Sequence, residues 1–384
     1  MSAKKIFLFL TLSLAALLTL TLASCGGSGG SGSSSTGDGT LKLSLTDSAT
    51  RDYRAIYVTI DRVDVHRADG NWEVVANPQA TYDLLELVNG VTVVLGEDLL
   101  PAGDYTQMRL IIGTTADNSD NLDGLPHPYA NYLVMADDSI NQLKIPSGPQ
   151  TGIKLVSGFT INANQTTELL LDFDAMRSVV KAGASGLYLL KPTIKVLHVA
   201  NVTSVEGTIT TMVDDVSTPL SGTFVSAQSG DPLDIQAGTI SADNGGYKLF
   251  LEPGGYTLVA TADGFLPACD SLALATNDQQ LLDFDLTAAD PEMIYSLSGE
   301  VTVTSPDEDQ SVTLTFYQEV TCNDATSATV VVRELNVAAG GRYEVSLPAG
   351  EYNIVATTID EDEVESTIEF SINLNSNLVE NFNF

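Results

Sequence analysis

Two stretches of the chain carry the same pattern, and this repeat decides the fold. Residues 245–260 read GGYKLFLEPGGYTLVA, and residues 341–356 read GRYEVSLPAGEYNIVA. In each copy, apolar and polar residues alternate on both sides of a Gly-bearing turn, which is typical of half-buried strands. Because glycine accepts positive φ without penalty, the turn is predicted to close a hairpin that carries Tyr247 on one strand and Tyr256 on the other.

A similar strand precedes each copy, VEGT at 205–208 and LSGE at 297–300. Two β-sandwich domains are therefore expected, over 201–290 and 291–384. Helical periodicity is weak along the whole chain. The predicted fold class is all-β, with tandem β-sandwich domains: one larger N-terminal β-rich domain and two prealbumin-like or immunoglobulin-like sandwiches.

The N-terminal β-rich domain is expected over 40–200. Its evidence is alternating segments such as 41–45, 56–60 and 108–112, separated by Gly, Pro, Asn and Asp clusters. The apolar alternation changes phase near Asp61, which predicts a β-bulge there because one extra residue exchanges the two faces of a strand.

The first 24 residues have the order of a secretory signal. Lys4 and Lys5 form a short positive region, an apolar run follows over 6–23, and LASC closes it at 22–25. This order is typical of exported proteins. The alternative is an uncleaved membrane helix, for which the run is slightly short.

Residues 25–39 consist of Cys25 and a stretch that is almost purely Gly and Ser, which is typical of a flexible tether. LASC resembles a lipobox, the site at which bacterial lipoproteins are acylated on cysteine and cut just before it. The resemblance implies a lipid anchor on Cys25. Gly26 stands where an aspartate commonly retains such proteins in the inner membrane, so the resemblance implies the outer membrane or cell surface.

The chain is strongly acidic, with a formal net charge of −33 at pH 7. A field of this sign excludes nucleic acid and anionic lipid as partners bound by net charge. Beyond Cys25, the only cysteines are Cys269 and Cys322. They could form a disulfide between two domains in an oxidising compartment, or remain two free, buried thiols.

Residues with catalytic or metal-binding chemistry are sparse. The histidines His66, His127 and His198 lie in separate segments without zinc-site spacing, so exposed or loop positions are expected for each. No catalytic residue is assigned, although a serine triad could still form in space.

One acidic loop offers oxygen ligands at Asp117, Asp120 and Asp123. Calcium prefers such ligands, but the spacing does not fit an EF-hand, and a solvated loop is the favoured alternative. No cofactor is expected beyond this weak calcium candidate.

The first copy of the repeat resembles the carboxypeptidase regulatory-like family, a transthyretin-like β-sandwich. The resemblance is carried by Gly207, PLSG at 219–222, DNGGY at 243–247, PGGY at 253–256 and GF at 264–265. It implies a module without peptidase activity that is structurally close to carbohydrate-binding-like sandwiches. The second copy is degenerate, because it lacks the Pro-Leu-x-Gly segment and a clear Asp-x-Gly turn.

The region 40–200 resembles an uncharacterised bacterial lipoprotein family, the domain of unknown function 4382. The matching segments are LSLTD at 43–47, VTIDRVDVH at 58–66, LPAGDYTQMRL at 100–110 and LLLDFD at 169–174. The resemblance implies an exported β-rich domain and no known chemistry. The order Leu-Pro-Ala-Gly-acid-Tyr returns at 347–352, which we interpret as the same hairpin used again.

Three hypotheses for function follow. The favoured one is a non-enzymatic, membrane-anchored surface lipoprotein that binds an envelope protein or scaffolds an assembly. The first alternative is a carbohydrate-binding lipoprotein, for which Trp72 and the tyrosines are candidate platforms. The second alternative is a hydrolase with an unrecognised site in 40–200.

Overall fold

The computed structural model describes residues 37–48, 50–145, 152–182, 187–304, 306, 310–360, 362 and 364–384. The expected signal peptide, Cys25 and most of the Gly/Ser tether lie outside the described residues. Within them, no helix has the length and apolar character needed to cross a membrane. The described chain is built from strands, which confirms the predicted all-β class.

In the described part of the N-terminal lobe, residues 38–198, there are fourteen strands and one short α-helix. Their bounds are β1 Asp38–Ser48, β2 Ala55–Arg67, β3 Trp72–Ala76, β4 Ala80–Asp83, β5 Val93–Pro101, β6 Gly103–Ile112, β7 Tyr132–Val134, β8 Ile140–Lys144, β9 Ile153–Leu155, β10 Phe159–Ile161, β11 Thr166–Asp174, α1 Ala175–Ser178, β12 Val179–Ala182, β13 Leu187–Leu190 and β14 Ile194–His198. Single 3₁₀ turns lie at Leu84–Glu86, Val199–Asn201 and Pro291–Met293.

Two sheets of this lobe enclose one apolar core. The first has the order β14-β11-β1-β5, and the second runs β10-β6-β2-β7-β8-β13-β12. Leu43, Ile60 and Phe173 are fully buried members of the core between them. The register of β2 against β6 shifts between Ile60 and Arg62, which confirms the bulge predicted near Asp61.

The middle lobe, residues 203–285, is a sandwich of two small sheets. Its strands are β15 Thr203–Val213, β16 Val216–Pro219, β17 Phe224–Ser229, β18 Asp234–Ile240, β19 Gly246–Leu251, β20 Gly254–Thr261, β21 Ala268–Leu274, β22 Gln279–Leu281 and β23 Phe284–Asp285. One sheet is centred on β15, which pairs with β16, β19, β22 and β23. The other has the order β18-β17-β20-β21.

The C-terminal lobe, residues 294–383, repeats this design. Its strands are β24 Ile294–Thr302, β25 Ser311–Thr321, β26 Ser327–Ala338, β27 Arg342–Pro348, β28 Gly350–Ile359, β29 Glu365–Leu374, β30 Leu378–Val379 and β31 Phe382–Asn383. One sheet is centred on β24, and the other has the order β26-β25-β28-β29. At Lys181 and Val337, β12 pairs with β26, so this second sheet continues that of the N-terminal lobe.

The hairpin predicted from the repeat is wrong. Strand β19 pairs with β15, whereas β20 pairs with β17 and β21, so the turn carries the chain from one sheet of the sandwich to the other. The equivalent strands β27 and β28 also lie in different sheets. Alternation shows only that both strands bury one face, and packing across a core satisfies this as well as hydrogen-bonded pairing does.

We call a turn that leads from one sheet of a sandwich to the other a corner. A tyrosine hydroxyl forms a hydrogen bond across each of these corners. The hydroxyl of Tyr352 donates to the carbonyl oxygen of Pro348 at 2.7 Å. The hydroxyl of Tyr256 donates to the backbone carbonyl oxygen of Glu252 at 2.9 Å. In the N-terminal lobe, Tyr105 donates to Pro101 at 3.0 Å, where β5 and β6 also lie in different sheets. The Leu-Pro-Ala-Gly-acid-Tyr pattern is therefore a sheet-switching corner.

A second tyrosine in each sandwich meets a glycine on the central strand. Tyr247 donates to the carbonyl of Leu282 at 2.6 Å, and Tyr343 donates to that of Glu380 at 2.9 Å. A Cβ on Gly207 would lie 1.9 Å from the carbonyl oxygen of Leu282, and a Cβ on Gly299 would lie 1.6 Å from the carbonyl oxygen of Glu380. The central strand therefore requires glycine where the last strands cross it.

Candidate functional site

One arginine joins all three lobes. Arg177, on α1, lies with its Nε 3.0 Å from Glu334 Oε1 of β26 and 3.8 Å from Asp174 Oδ2. Its guanidinium also donates two hydrogen bonds to Asp234 of the middle lobe. Burial acts to lower the pKa of Arg177, but the carboxylates of Glu334, Asp234 and Asp174 outweigh it and raise that pKa. Sequence reasoning missed this cluster, because its members are distant along the chain and follow no motif.

We call the cluster of Arg177 with Glu334, Asp234 and Asp174 the junction. Around it, side chains of one lobe form hydrogen bonds with the backbone of another. Gln228 of β17 donates to the Val331 carbonyl at 2.7 Å and accepts from the Val331 N–H at 2.8 Å, as a neighbouring strand would. Ser48 of β1 accepts from the N–H of Gly238 at 2.7 Å and donates to its carbonyl at 3.1 Å. A Cβ on Gly238 would press on Phe224 and Ser48, so this contact requires glycine.

The middle and C-terminal lobes are also joined covalently. Cys269 of β21 and Cys322, just after β25, form a disulfide. Of the two alternatives that the sequence leaves open, the structure contains the bridge. The N–H of Asn323 donates to the Cys269 carbonyl at 2.8 Å beside it, and Tyr317 donates to the Leu233 carbonyl at 3.1 Å.

The carboxyl groups of Asp47 and Asp172 are buried, and that of Asp174, which contacts Arg177, is half-buried. Burial raises the pKa of Asp172 to about 7 and that of Asp174 to about 6, and the pKa of Asp47 is also raised well above its ordinary value. Asp174 caps α1 by accepting from the Arg177 N–H. Asp47 Oδ1 accepts from the Ala175 N–H, whereas its Oδ2 has no hydrogen-bond partner among the described residues.

The structure does not bring the three histidines together. His66 lies on β2 against Trp72, His198 ends β14, and His127 lies in the loop between β6 and β7. His127 is within hydrogen-bond distance of a serine, since its Nε2 lies 3.1 Å from Ser119 Oγ. Sequence reasoning missed this pair, which only the path of the loop creates.

The direction of the hydrogen bonds indicates that Ser119 and His127 anchor the loop. Ser119 donates its only hydroxyl proton to Asp117 Oδ1 at 2.6 Å. We therefore assign His127 Nε2 as the donor to Ser119 and its Nδ1 as the acceptor from Tyr132, 2.9 Å away. A catalytic imidazole must instead accept the serine proton, so the chain of bonds runs in the reverse direction.

Two of the three calcium candidates, Asp117 and Asp123, already have protein partners. Asp117 also accepts from the Thr81 N–H at 2.9 Å, and Asp123 forms an ion pair with Arg54 at 2.8 Å. Asp120 is exposed. In the part of the chain that the structure describes, no three His, Cys, Asp or Glu residues are grouped so as to hold a metal ion. These contacts favour the solvated-loop alternative, and calcium binding stays a prediction.

Trp72 is the centre of a charged patch on the N-terminal lobe. The guanidinium of Arg109 lies 4.4 Å from the centroid of the indole, and its Nε lies 2.7 Å from Asp64 Oδ2. Arg62 contacts the other oxygen of this buried carboxylate at 3.0 Å. Arg109 covers one face of the indole, and the His66 ring lies 5.1 Å away in a T-shaped arrangement, so one face of Trp72 is already occupied and the indole is not an open stacking platform.

The C-terminal lobe carries an open groove of about 510 Å³. It crosses one end of β25, β26, β28 and β29, and none of the described residues that line it is basic. Its polar lining includes Tyr317, Glu319, Glu351, Asn353, Ser371 and Asn373. The groove is thus wide and shallow, with hydroxyl, amide and carboxylate groups along it.

The strands, corners and cross-lobe contacts define an all-β protein of three joined lobes. Residues 38–192 match the family model described as Domain of unknown function (DUF4382), and residues 204–287 match that of the Carboxypeptidase regulatory-like domain. The two matches follow one another along the chain, which confirms the resemblances found in the sequence. No curated protein matches the chain.

Several solved structures are similar to the chain. The TIE protein of Bacillus anthracis is 14% identical, with 91% of this chain and 51% of that one covered, at a TM-score of 0.21. A leucine-rich repeat protein from Bacteroides thetaiotaomicron is 12% identical over 48% of this chain and 26% of its own, at 0.23. The minor pilin GBS52 of Streptococcus agalactiae is 10% identical over 47% and 94%, at 0.18.

The chain thus spans about half the length of the TIE protein and about a quarter of the leucine-rich repeat protein. With TM-scores this low, none of the three structures informs its function.

Proposed function

We propose that the protein is a non-enzymatic lipoprotein of the outer membrane or cell surface, anchored through Cys25, that binds or scaffolds a partner in the cell envelope. The observation that carries this proposal is the junction at Arg177, which holds three lobes in fixed positions through Glu334 and Asp234. A fixed array of sandwiches on a Gly/Ser tether suits the display of a binding surface.

The anchor follows from the sequence around Cys25, and mass spectrometry of the protein purified from membranes tests it. We expect the chain to begin at Cys25 and to carry a diacylglyceryl group on its thiol. A Cys25→Ala variant should stay uncut or leave the membrane fraction. An unmodified Cys25 in the mature protein would contradict the anchor.

The binding role is tested with the full-length protein in its own cells, by cross-linking and affinity capture. We expect the same envelope protein in independent captures, and its loss when Arg177→Ala loosens the junction. A tethered middle lobe alone serves as the control for non-specific capture. Recovery of no specific partner would contradict the role.

Carbohydrate binding is the second candidate, and the groove beside Asn353 is the observation that favours it. Sugars are bound by convergent amide, carboxylate and hydroxyl groups, which Asn353, Glu351 and Ser371 supply. A glycan array with the ectodomain tests it, with Asn353→Ala expected to abolish binding and Trp72→Ala to preserve it. An array without signal would remove this candidate.

A further inference from the structure

We propose that strand β29 is a docking edge, to which an extended segment of a partner protein, alternating basic and apolar residues, adds as a further strand. The inference rests on the proposed binding function and names the chemistry of the partner. Four features of β29 support it: its free backbone, its missing protection, its apolar row and its charge.

Strand β29 has one side free for pairing. It pairs with β28 over ten residues, from Glu365 opposite Ile359 to Leu374 opposite Gly350, without a register shift. In the described part of the chain it is the last strand of the large sheet. Alternate residues of an antiparallel strand direct their N–H and C=O groups away from the neighbour, so β29 presents a regular row of backbone donors and acceptors.

Three of the devices that normally block such an edge, namely proline, lysine and a bulge, are missing from β29, and its only charged side chains are glutamates. Its sequence, ESTIEFSINL, contains no proline and no lysine, and its pairing has no bulge. At the other end of the same sheet, β10 covers only Phe159–Ile161. Short edge strands, proline, charged side chains (lysine above all) and bulges are the usual protection against strand addition, and a negatively charged edge repels acidic segments but not basic ones. A ten-residue regular edge is therefore open to a partner.

One face of β29 carries an incompletely covered apolar row. Ile372 and Leu374 are buried in the C-terminal core, whereas Ile368 and Phe370 in the same row are half-buried at its rim. Val364, just before the strand, is 57% exposed. Apolar residues at alternate positions of an added strand would cover this row and extend the core.

The other face of β29 sets the charge of the partner. Glu365 and Glu369 are exposed there, and Asn353 is the only β28 side chain that hydrogen-bonds to either. A second copy of this chain would bring its own glutamates and a net charge of −33 to the edge. Lysine or arginine opposite these glutamates makes favourable cross-strand pairs, so the occupant is a basic segment of another protein.

The test uses the purified ectodomain and a synthetic nine-residue peptide, Lys-Val-Thr-Val-Lys-Val-Thr-Val-Lys, with fluorescence anisotropy and hydrogen exchange as readouts. We expect saturable binding and slower amide exchange within 365–374. Two further peptides are N-methylated at one or the other set of alternate amides. Because an added strand pairs through one set only, one methylated peptide should lose binding and the other should keep it.

Charge is tested with the variant Glu365→Lys/Glu369→Lys and a matched control, Glu252→Lys/Glu292→Lys, which changes the net charge equally at exposed positions elsewhere. We expect affinity to fall roughly tenfold for the first variant and to stay within about twofold for the control. Equal effects of both variants, equal effects of both methylated peptides, or protection outside β29 would overturn the inference. If wild type and Glu365→Lys/Glu369→Lys captured the same partner equally well, the proposed binding function would be supported, but strand addition at β29 would be excluded as its mechanism.

Discussion

Glu334 and Arg177 are 157 residues apart in the chain and 3.0 Å apart in space. The Glu334 side chain is only 4% exposed, and the guanidinium that neutralises it also contacts Asp174 and Asp234. A buried carboxylate has a high desolvation cost, which only a well-formed ion pair offsets. The three lobes are therefore coupled at one point where loss of a single side chain leaves several acids without their counter-charge.

Replacing this arginine should destabilise the whole protein. For Arg177→Ala we expect the free energy of unfolding to fall by about 3–5 kcal/mol, because Glu334 stays buried without its partner. Urea denaturation at pH 7 measures it. The control is Arg342→Ala. The Arg342 side chain is 85% exposed, with its Nε 3.9 Å from Glu300 Oε2, so we expect its loss to change the free energy of unfolding by no more than about 0.5 kcal/mol. Similar losses in both variants would show that the junction is not special.

Removing a corner hydroxyl should cost a single hydrogen bond. For Tyr352→Phe we expect a loss of about 1 kcal/mol, since the ring stays in the core while the Pro348 carbonyl loses its donor. Tyr105→Phe should behave alike in the N-terminal lobe. Tyr129, which is exposed, provides the control as Tyr129→Phe, and thermal denaturation is the measurement. An unchanged melting temperature for Tyr352→Phe would argue against the corner bond.

The crossing at Gly207 should not tolerate a methyl group. Gly207→Ala places a Cβ against the Leu282 oxygen and the Tyr247 ring, so we expect a loss of at least about 2 kcal/mol. Gly255→Ala meets no atom within 4 Å and should be close to neutral. Chemical denaturation of both variants compares them. If Gly207→Ala were as stable as Gly255→Ala, the close approach would be incorrect.

Stability should depend on pH through Asp172. Its pKa is raised from 3.8 to about 7, so the folded state binds the proton more tightly than the unfolded state does. The stability that the folded state gains by holding the Asp172 proton is fully present below pH 4 and is lost as the pH rises through about 7. Asp172→Asn should therefore match wild type near pH 4 and be more stable at pH 8, by at most about 4 kcal/mol. Melting curves at both pH values measure this, and an equal offset at both would contradict it.

The disulfide should contribute to stability by linking two lobes. For Cys269→Ala/Cys322→Ala we expect the free energy of unfolding to fall by about 2–4 kcal/mol, in line with a bridge across 53 residues. Reductant should lower the melting temperature of the wild type and leave that of the variant unchanged. Free thiols detected in the oxidised wild type would show that the bridge is not formed.

Several features of the fold and site are predictable from local sequence. The bulge near Asp61 follows from a change of phase in the apolar alternation, and both family resemblances follow from short motifs such as PGGY at 253–256. The sequence shows Asp172 and Asp174 at the end of an apolar strand, but it does not show their raised pKa values, because these depend on burial by other segments.

The sequence by itself determined the strands, their buried faces and the glycine and tyrosine positions at each corner, since these depend on neighbouring residues. Tertiary structure alone decided that the corner at Tyr256 switches sheets, that β12 joins β26, and that Arg177 meets Glu334. The reason is physical. The alternation of apolar and polar residues indicates which face of a strand is buried. It does not indicate which strands pair or which ion pairs form, because these depend on which distant segments pack into the same core.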